Sequence, residues 1–202
     1  FLVSEMSGRS TLELKAQELG LELDGKVLGD VVDQLKQLEH EGYHFEAADA
    51  SLELLMRRAA GWQQDFFALE SYKVLVRHRA GQTEPAQADA LDVETEATVK
   101  LWIGDERVVA IGEGNGPVNA LDQALRAALR DRYPSIDGVH LVDFKVRILD
   151  SSASTDAITR VLIDSTDGDD TWTTIGVSAN IIEASWMALV DALVFGLLKS
   201  AT

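Results

Sequence analysis

The chain has 202 residues, 34 acidic and 18 basic, for a formal net charge of −16 at pH 7. That excess argues against a protein that grips phosphate backbones, which needs clustered Lys and Arg, and against a polybasic membrane-surface binder. At 46% apolar with no cysteine, the chain reads as globular, with room for one sizeable domain or for one domain plus a smaller appendage, and without disulfides, thiolate metal sites or Cys nucleophiles.

It opens Phe1-Leu2-Val3-Ser4-Glu5, with no basic region of a secretory signal and no Met. The missing Met predicts a piece of a longer chain, and the composition suits the cytoplasm. Residues 1–61 predict a helical subdomain. Ser10-Thr11-Leu12-Glu13 offers an N-cap and an acidic first turn, with Leu12, Leu14, Ala16 and Leu19 following and Gly20 as a stop. Val31, Val32, Leu35 and Leu38 predict a helix over Gly29–Glu41, ended by Gly42. A third helix is expected over Glu46–Arg58.

The pattern changes after Trp62. Alternation predicts a strand over Phe66–Arg79, and Ala80–Asp92 reads as a polar loop. Thr95–Ile103 and Val108–Glu113 form a hairpin around Gly104-Asp105, and Pro117–Arg132 is an amphipathic helix. The order then recurs: a strand over Val139–Leu149, a loop at Ser151–Thr155, a hairpin of Ala157–Asp164 and Thr171–Val177, and a helix over Ile181–Lys199. The letters recur too. Ile111-Gly112, Ala120, Ala124-Leu125 and Ala128-Leu129 match Ile175-Gly176, Ala184, Ala188-Leu189 and Ala192-Leu193. Tyr72-Lys73-Val74 echoes Phe144-Lys145-Val146. The expectation is an α+β fold in which two βββα units pack with pseudo-two-fold symmetry over 62–202. The last helix is apolar nearly all round, which predicts burial on several sides and a homodimer seam. Its longest apolar stretch, near Ala188–Leu198, is interrupted by Asp191 and is too short to span a bilayer.

His40-Glu41-Gly42-Tyr43-His44 matches the H-E-x-x-H zinc string, but Gly42 weakens the continuous helix that such a site requires, and His78 and His140 lie in another unit. No metal site is expected. A free-standing metalloenzyme would have to use His40 and His44. Gly112-Glu113-Gly114-Asn115-Gly116-Pro117 is not a dinucleotide loop, since Pro117 stands where the third glycine belongs. Pro117 suits the first helical position and makes Gly116 the N-cap, which has no side chain to cap with. Two readings fit: a small carboxylate on the N–H groups near Val118 and Asn119, or a tight turn with water there. In the second unit Asn180-Ile181-Ile182-Glu183 reads as a self-satisfied capping box. Asp164–Asp170 reads as a hairpin tip, and the four tryptophans as packing residues.

Gly114-Asn115-Gly116-Pro117-Val118-Asn119-Ala120-Leu121 and Thr174-Ile175-Gly176-Val177-Ser178-Ala179-Asn180-Ile181-Ile182-Glu183-Ala184-Ser185 resemble the two regulatory-domain motifs of the 2-isopropylmalate synthase and citramalate synthase family. Ser7-Gly8-Arg9-Ser10 and the run Glu41–Ser51 are similar to the helical linker of its citramalate branch. The resemblance implies a regulatory and dimerisation fragment, with no catalytic residues and no cofactor of its own. It implies an upstream TIM barrel in the same chain that condenses acetyl-CoA with a 2-oxo acid at a divalent metal, making the parent a transferase. The implied ligand is a branched-chain amino acid end product acting by feedback inhibition. The citramalate branch favours isoleucine and the other branch leucine, and a dimerisation module without ligand is the remaining alternative. The implied effector site comprises Gly114, Asn115, Gly116, Val118 and Asn119, a wall of Leu141, Phe144 and Ile148, and a closing segment with Thr155, Ala157 and Thr159.

Overall fold

In a computed structural model, which describes residues 8–79, 92–149 and 157–201, the helical segment forms three helices: α1 (Gly8–Glu18), α2 (Gly25–His40) and α3 (Asp49–Ala59). α2 begins earlier than the expected Gly29 because Asp24 caps it. The Asp24 carboxylate accepts from the N–H groups of Lys26 and Val27, both at 2.8 Å. α3 begins later than expected. Phe45–Ala47 is a separate 3-10 turn, and Ala48, with φ −138° and ψ 65°, interrupts the helix so that Phe45 and Ala48 are both buried.

The remaining elements are β1 (Ala68–Arg79), β2 (Asp92–Ile103), β3 (Glu106–Gly114), α4 (Pro117–Leu129), β4 (His140–Ile148), β5 (Thr159–Thr166), β6 (Thr171–Ser178) and α5 (Ile181–Ala201). They make two three-stranded antiparallel sheets, β1-β2-β3 and β4-β5-β6, so the expected pair of βββα units is present. The internal repeat extends to register. Thr98 pairs with Ile111 as Leu162 pairs with Ile175, and a bulge sits between Leu69 and Ser71 as between Leu141 and Asp143. The expected loops Ala80–Asp92 and Ser151–Thr155 lie outside the described residues, apart from Asp92 at the start of β2.

The repeated Gly and Ala letters mark where each helix crosses its sheet. A Cβ at Gly112 would strike the backbone of Ala124 and stand 2.5 Å from the Ala120 carbonyl. One at Gly176 would strike the carbonyl of Ala184 and lie 3.0 Å from the Ala188 amide. Glycine on the strand and alanine on the helix let the two backbones touch.

By compactness the chain divides into Asp65–Asp137 and a unit combining the residues up to Gln64 with those from Gly138. In the first, α4 lays Leu121, Leu125 and Leu129 against Ala97, Val99 and Leu101 of β2, all fully buried. Arg126 bonds Asp122 at 2.8 Å and the Ile136 carbonyl at 2.8 Å, which ties down the turn after α4. In the second, the helical segment covers one face of the sheet. Leu12, Leu28, Val31, Leu35, Phe45 and Met56 form one core with Ile175 and Val177 of β6. β6 is an edge strand, and α3 occupies its edge: the N–H groups of Thr173 and Ile175 donate to Asp49 Oδ1 (2.9 Å) and Ser51 Oγ (3.1 Å).

α5 takes the other face. Trp172 Nε1 donates to the Ala192 carbonyl at 3.2 Å and Thr174 Oγ1 to that of Ala188 at 2.8 Å. At 21 residues α5 is longer than the apolar run suggested, and by length and composition it could cross a membrane. Here it is a core helix, with Ala184, Ala188, Leu189, Ala192, Leu193 and Leu197 buried. It therefore offers less spare surface than the expected dimer seam, and only Ile181 and Met187 are exposed large apolar residues on it. Among the described residues of this unit, the exposed apolar stripe is on β4: Val142, Phe144, Val146 and Ile148.

Candidate functional site

The loop after β3 is built by close approach. A Cβ at Gly114 would lie 2.5 Å from Asn119 Oδ1 and 2.6 Å from the Ala120 amide, so only glycine lets β3 end against the first turn of α4. Gly116 is the N-cap of α4 in extended backbone, Pro117 follows, and no side chain caps the helix. The first turn holds no acidic residue. Asn119 Oδ1 instead reaches back to the Asn115 amide at 3.4 Å. A Cβ at Gly116 would meet open space.

α5 starts differently. Asn180 Oδ1 accepts from the Ile182 amide at 2.9 Å, and Ser178 Oγ accepts from the Asn180 amide at 3.1 Å while donating to Glu183 at 2.8 Å. The expected capping box is thus closed through Ser178 and not by Glu183 directly. One helix start is internally satisfied and the other is left open to an acceptor.

A cavity opens beside Gly114, lined by Leu75, Arg77, Glu94, Thr95, Glu96 and Glu113. Arg77 and Glu94 form an ion pair at 3.3 Å. Neither β1 nor β2 supplied a candidate at the sequence level. The signal was the two-residue turn Gly104-Asp105, which fixes the hairpin register and sets Thr95 against Gly114.

The other expected residues lie in the other compact unit. Phe144 pairs with Ile163 and Ile148 with Thr159, so these side chains share the face that α5 covers further across the sheet. Ala157 and Thr159 are buried, whereas Phe144 and Ile148 are 38% and 61% exposed. Leu141, beyond the bulge, pairs with Ser165. Thr155 lies outside the described residues. The expected set thus comprises a glycine-loop group in one unit and a β4–β5 group in the other.

The H-E-x-x-H string is not a helical zinc pair. α2 ends at His40, and Gly42 takes φ +110°, which turns the chain out of the helix. Among the described residues no cluster of three His, Asp or Glu is placed to hold a metal ion. The hairpin tip is held by Lys199, which meets Asp167 at 2.8 Å and Asp170 at 2.6 Å. The Lys199 bond, with backbone donors, draws the Asp167 carboxyl down to about 2. Of the tryptophans, Trp172 and Trp186 are buried, but Trp102 is 42% exposed on its sheet.

Residues 46–197 match the family model described as the LeuA allosteric (dimerisation) domain. The chain belongs to the LeuA allosteric domain family. Its relatives include the (R)-citramalate synthases of Aquifex aeolicus, 47% identical over 199 residues, and of Streptomyces coelicolor, 48% identical over 202 residues. Each match covers 98% of this chain and 36% of the relative. A 2-isopropylmalate synthase of Acetivibrio thermocellus is 23% identical over 192 residues, covering 95% of this chain and 34% of that protein. This LeuA-type chain therefore spans little more than a third of the curated relatives it matches.

Proposed function

We propose that this chain is the regulatory portion of a citramalate synthase-like enzyme, an acetyl-CoA-dependent transferase acting on a 2-oxo acid. It binds a branched-chain amino acid, isoleucine in the first instance, for feedback inhibition. It acts as a homodimer in the cytoplasm, and the divalent metal and acetyl-CoA of that chemistry belong to a separate barrel of the parent. The observation that carries the reading is the uncapped start of α4 at Gly116, which leaves helix-start N–H groups open to an acceptor. Helix-start N–H groups suit a small carboxylate such as that of an amino acid. The higher identity to citramalate synthases supports isoleucine over leucine. The apolar stripe on β4 supports a second copy as partner.

Calorimetric titration of isoleucine and leucine into the chain tests this. Heat is expected with isoleucine and weaker heat with leucine. Gly116→Leu places its side chain in open space, so the fold and the dimer, checked by sedimentation, should persist while binding is lost. A folded, dimeric chain that gives no heat with either amino acid would leave a dimerisation module without ligand.

A further inference from the structure

A second cavity, of about 560 Å³, opens between the helical segment and α5, within the compact unit that does not contain Gly116. Its size admits a small organic molecule. None of its residues belongs to the expected effector set. Its wall is apolar, with Phe45, Leu55, Ile175 and Trp186 buried in it, and the ring of Tyr43 stacks on that of Phe45 at 5.4 Å. Ser51, Leu55 and Ala59 recur at helical spacing on α3, as do Met187 and Asp191 on α5, so the cavity runs between two helical stripes.

Polar groups gather where α3 meets α5. Asp191 is the one charged residue of α5 between Glu183 and Lys199, and its side chain is largely buried. Its Oδ2 accepts from Ser51 Oγ at 2.8 Å and its Oδ1 from Arg58 Nη2 at 3.0 Å. A well-packed apolar residue at 191 would avoid the cost of desolvating a carboxylate, so fold stability does not call for the pair. Burial outweighs the pull of Arg58 and Ser51 and pushes the Asp191 carboxyl up, the mark of a carboxylate short of donors. The Arg58 side chain is 45% exposed, and among the described residues its guanidinium donates to Asp191 alone, which leaves further N–H donors to spend. Tyr43 Oη donates to Met187 Sδ at 3.8 Å, and a thioether is a weak acceptor. Met187 stands one turn before Asp191, so this hydroxyl lies about 6 Å along α5 from the carboxylate.

Arg58 and Asp191 cancel, which makes this end of the cavity neutral. A ligand with one charge would leave that charge unbalanced against apolar walls, and an uncharged one would leave the spare Arg58 donors without a charged acceptor. A zwitterion with an apolar arm satisfies both ends. We propose that this cavity binds an α-amino acid with a large apolar side chain. Its ammonium group meets Asp191, its carboxylate meets Arg58 and the Tyr43 hydroxyl, and its side chain lies against Phe45, Leu55 and Trp186. This site is separate from the effector site at Gly116 and does not depend on it.

The test is calorimetric titration of L-phenylalanine into the chain, beside 2-phenylethylamine and 3-phenylpropanoate, each of which lacks one of the two charges. L-phenylalanine should bind saturably, and each analogue at least tenfold more weakly. Ala59→Phe fills the cavity from its rim and should abolish binding. Arg58→Gln, the second variant, keeps a donor for Asp191 and should weaken binding at least tenfold. Circular dichroism establishes that each variant is folded. No saturable heat with L-phenylalanine, binding that survives in the folded variants, or an analogue that binds as well as the amino acid would overturn the proposal. Neither variant touches Gly116, so the isoleucine titration stands or falls separately.

Discussion

Ser51 and Ser165 are both buried hydroxyls, and they should respond oppositely to loss of the oxygen. Ser51 Oγ donates to Asp191 Oδ2 at 2.8 Å and accepts from the Ile175 amide at 3.1 Å, so Ser51→Ala strips a partner from a buried carboxylate and from an edge-strand N–H. A destabilisation of about 1–3 kcal/mol is expected in chemical denaturation. Ser165 Oγ is the buried side-chain polar atom with no protein partner among the described residues. At the corresponding repeat position stands Leu101, fully buried. Ser165→Ala should therefore be neutral or stabilising by up to about 1 kcal/mol. A clear loss of stability would mean that the hydroxyl has a partner. None of this was legible in the sequence, where Ser51 falls in the expected third helix and Ser165 in the expected hairpin tip.

At the scale of elements, glycines that look alike in sequence do different work. Gly112→Ala and Gly176→Ala force a methyl group into the backbone of the crossing helix and should cost about 1–3 kcal/mol or more. Gly116→Ala adds a methyl in open space at an extended position and should stay within about 0.5 kcal/mol. Thermal melts of the three variants check the contrast, and equal losses would contradict the helix–sheet crossing described above. The repeat made the crossing readable, because Gly and Ala recurred together at one spacing. The helix boundaries were less readable. Asp24 caps α2 so that it starts at Gly25, four residues ahead of the expected Gly29, and burial of Phe45 and Ala48 splits the expected third helix.

At the scale of the whole molecule, Asp191 joins α5 to the helical segment through Ser51 and through Arg58 at 3.0 Å. Burial raises its pKa above the ordinary 3.8, against the pull of Arg58 and Ser51. Between 3.8 and that raised value the folded chain binds the proton more tightly than the unfolded one. Its contribution is therefore fully present below 3.8 and declines as pH rises through the window. Urea melts from about pH 4 to about pH 7 should show a component of this sign that Asp191→Asn abolishes. An unchanged pH profile in the variant would refute it.

The sequence by itself determined the class of elements, the duplicated βββα order and the likeness to a regulatory domain, because periodicity, turn residues and repeated letters are local properties of the chain. It also singled out the open start of α4, since a glycine N-cap before proline is a local fact. Only the tertiary structure decided what covers each surface. Ile111 and Ile175 hold the same place in the repeat, yet Ile111 is 58% exposed and Ile175 2%, because the helical segment packs on the second sheet. Burial depends on which segment arrives from far along the chain, and identical letters in a duplicated unit carry no record of that.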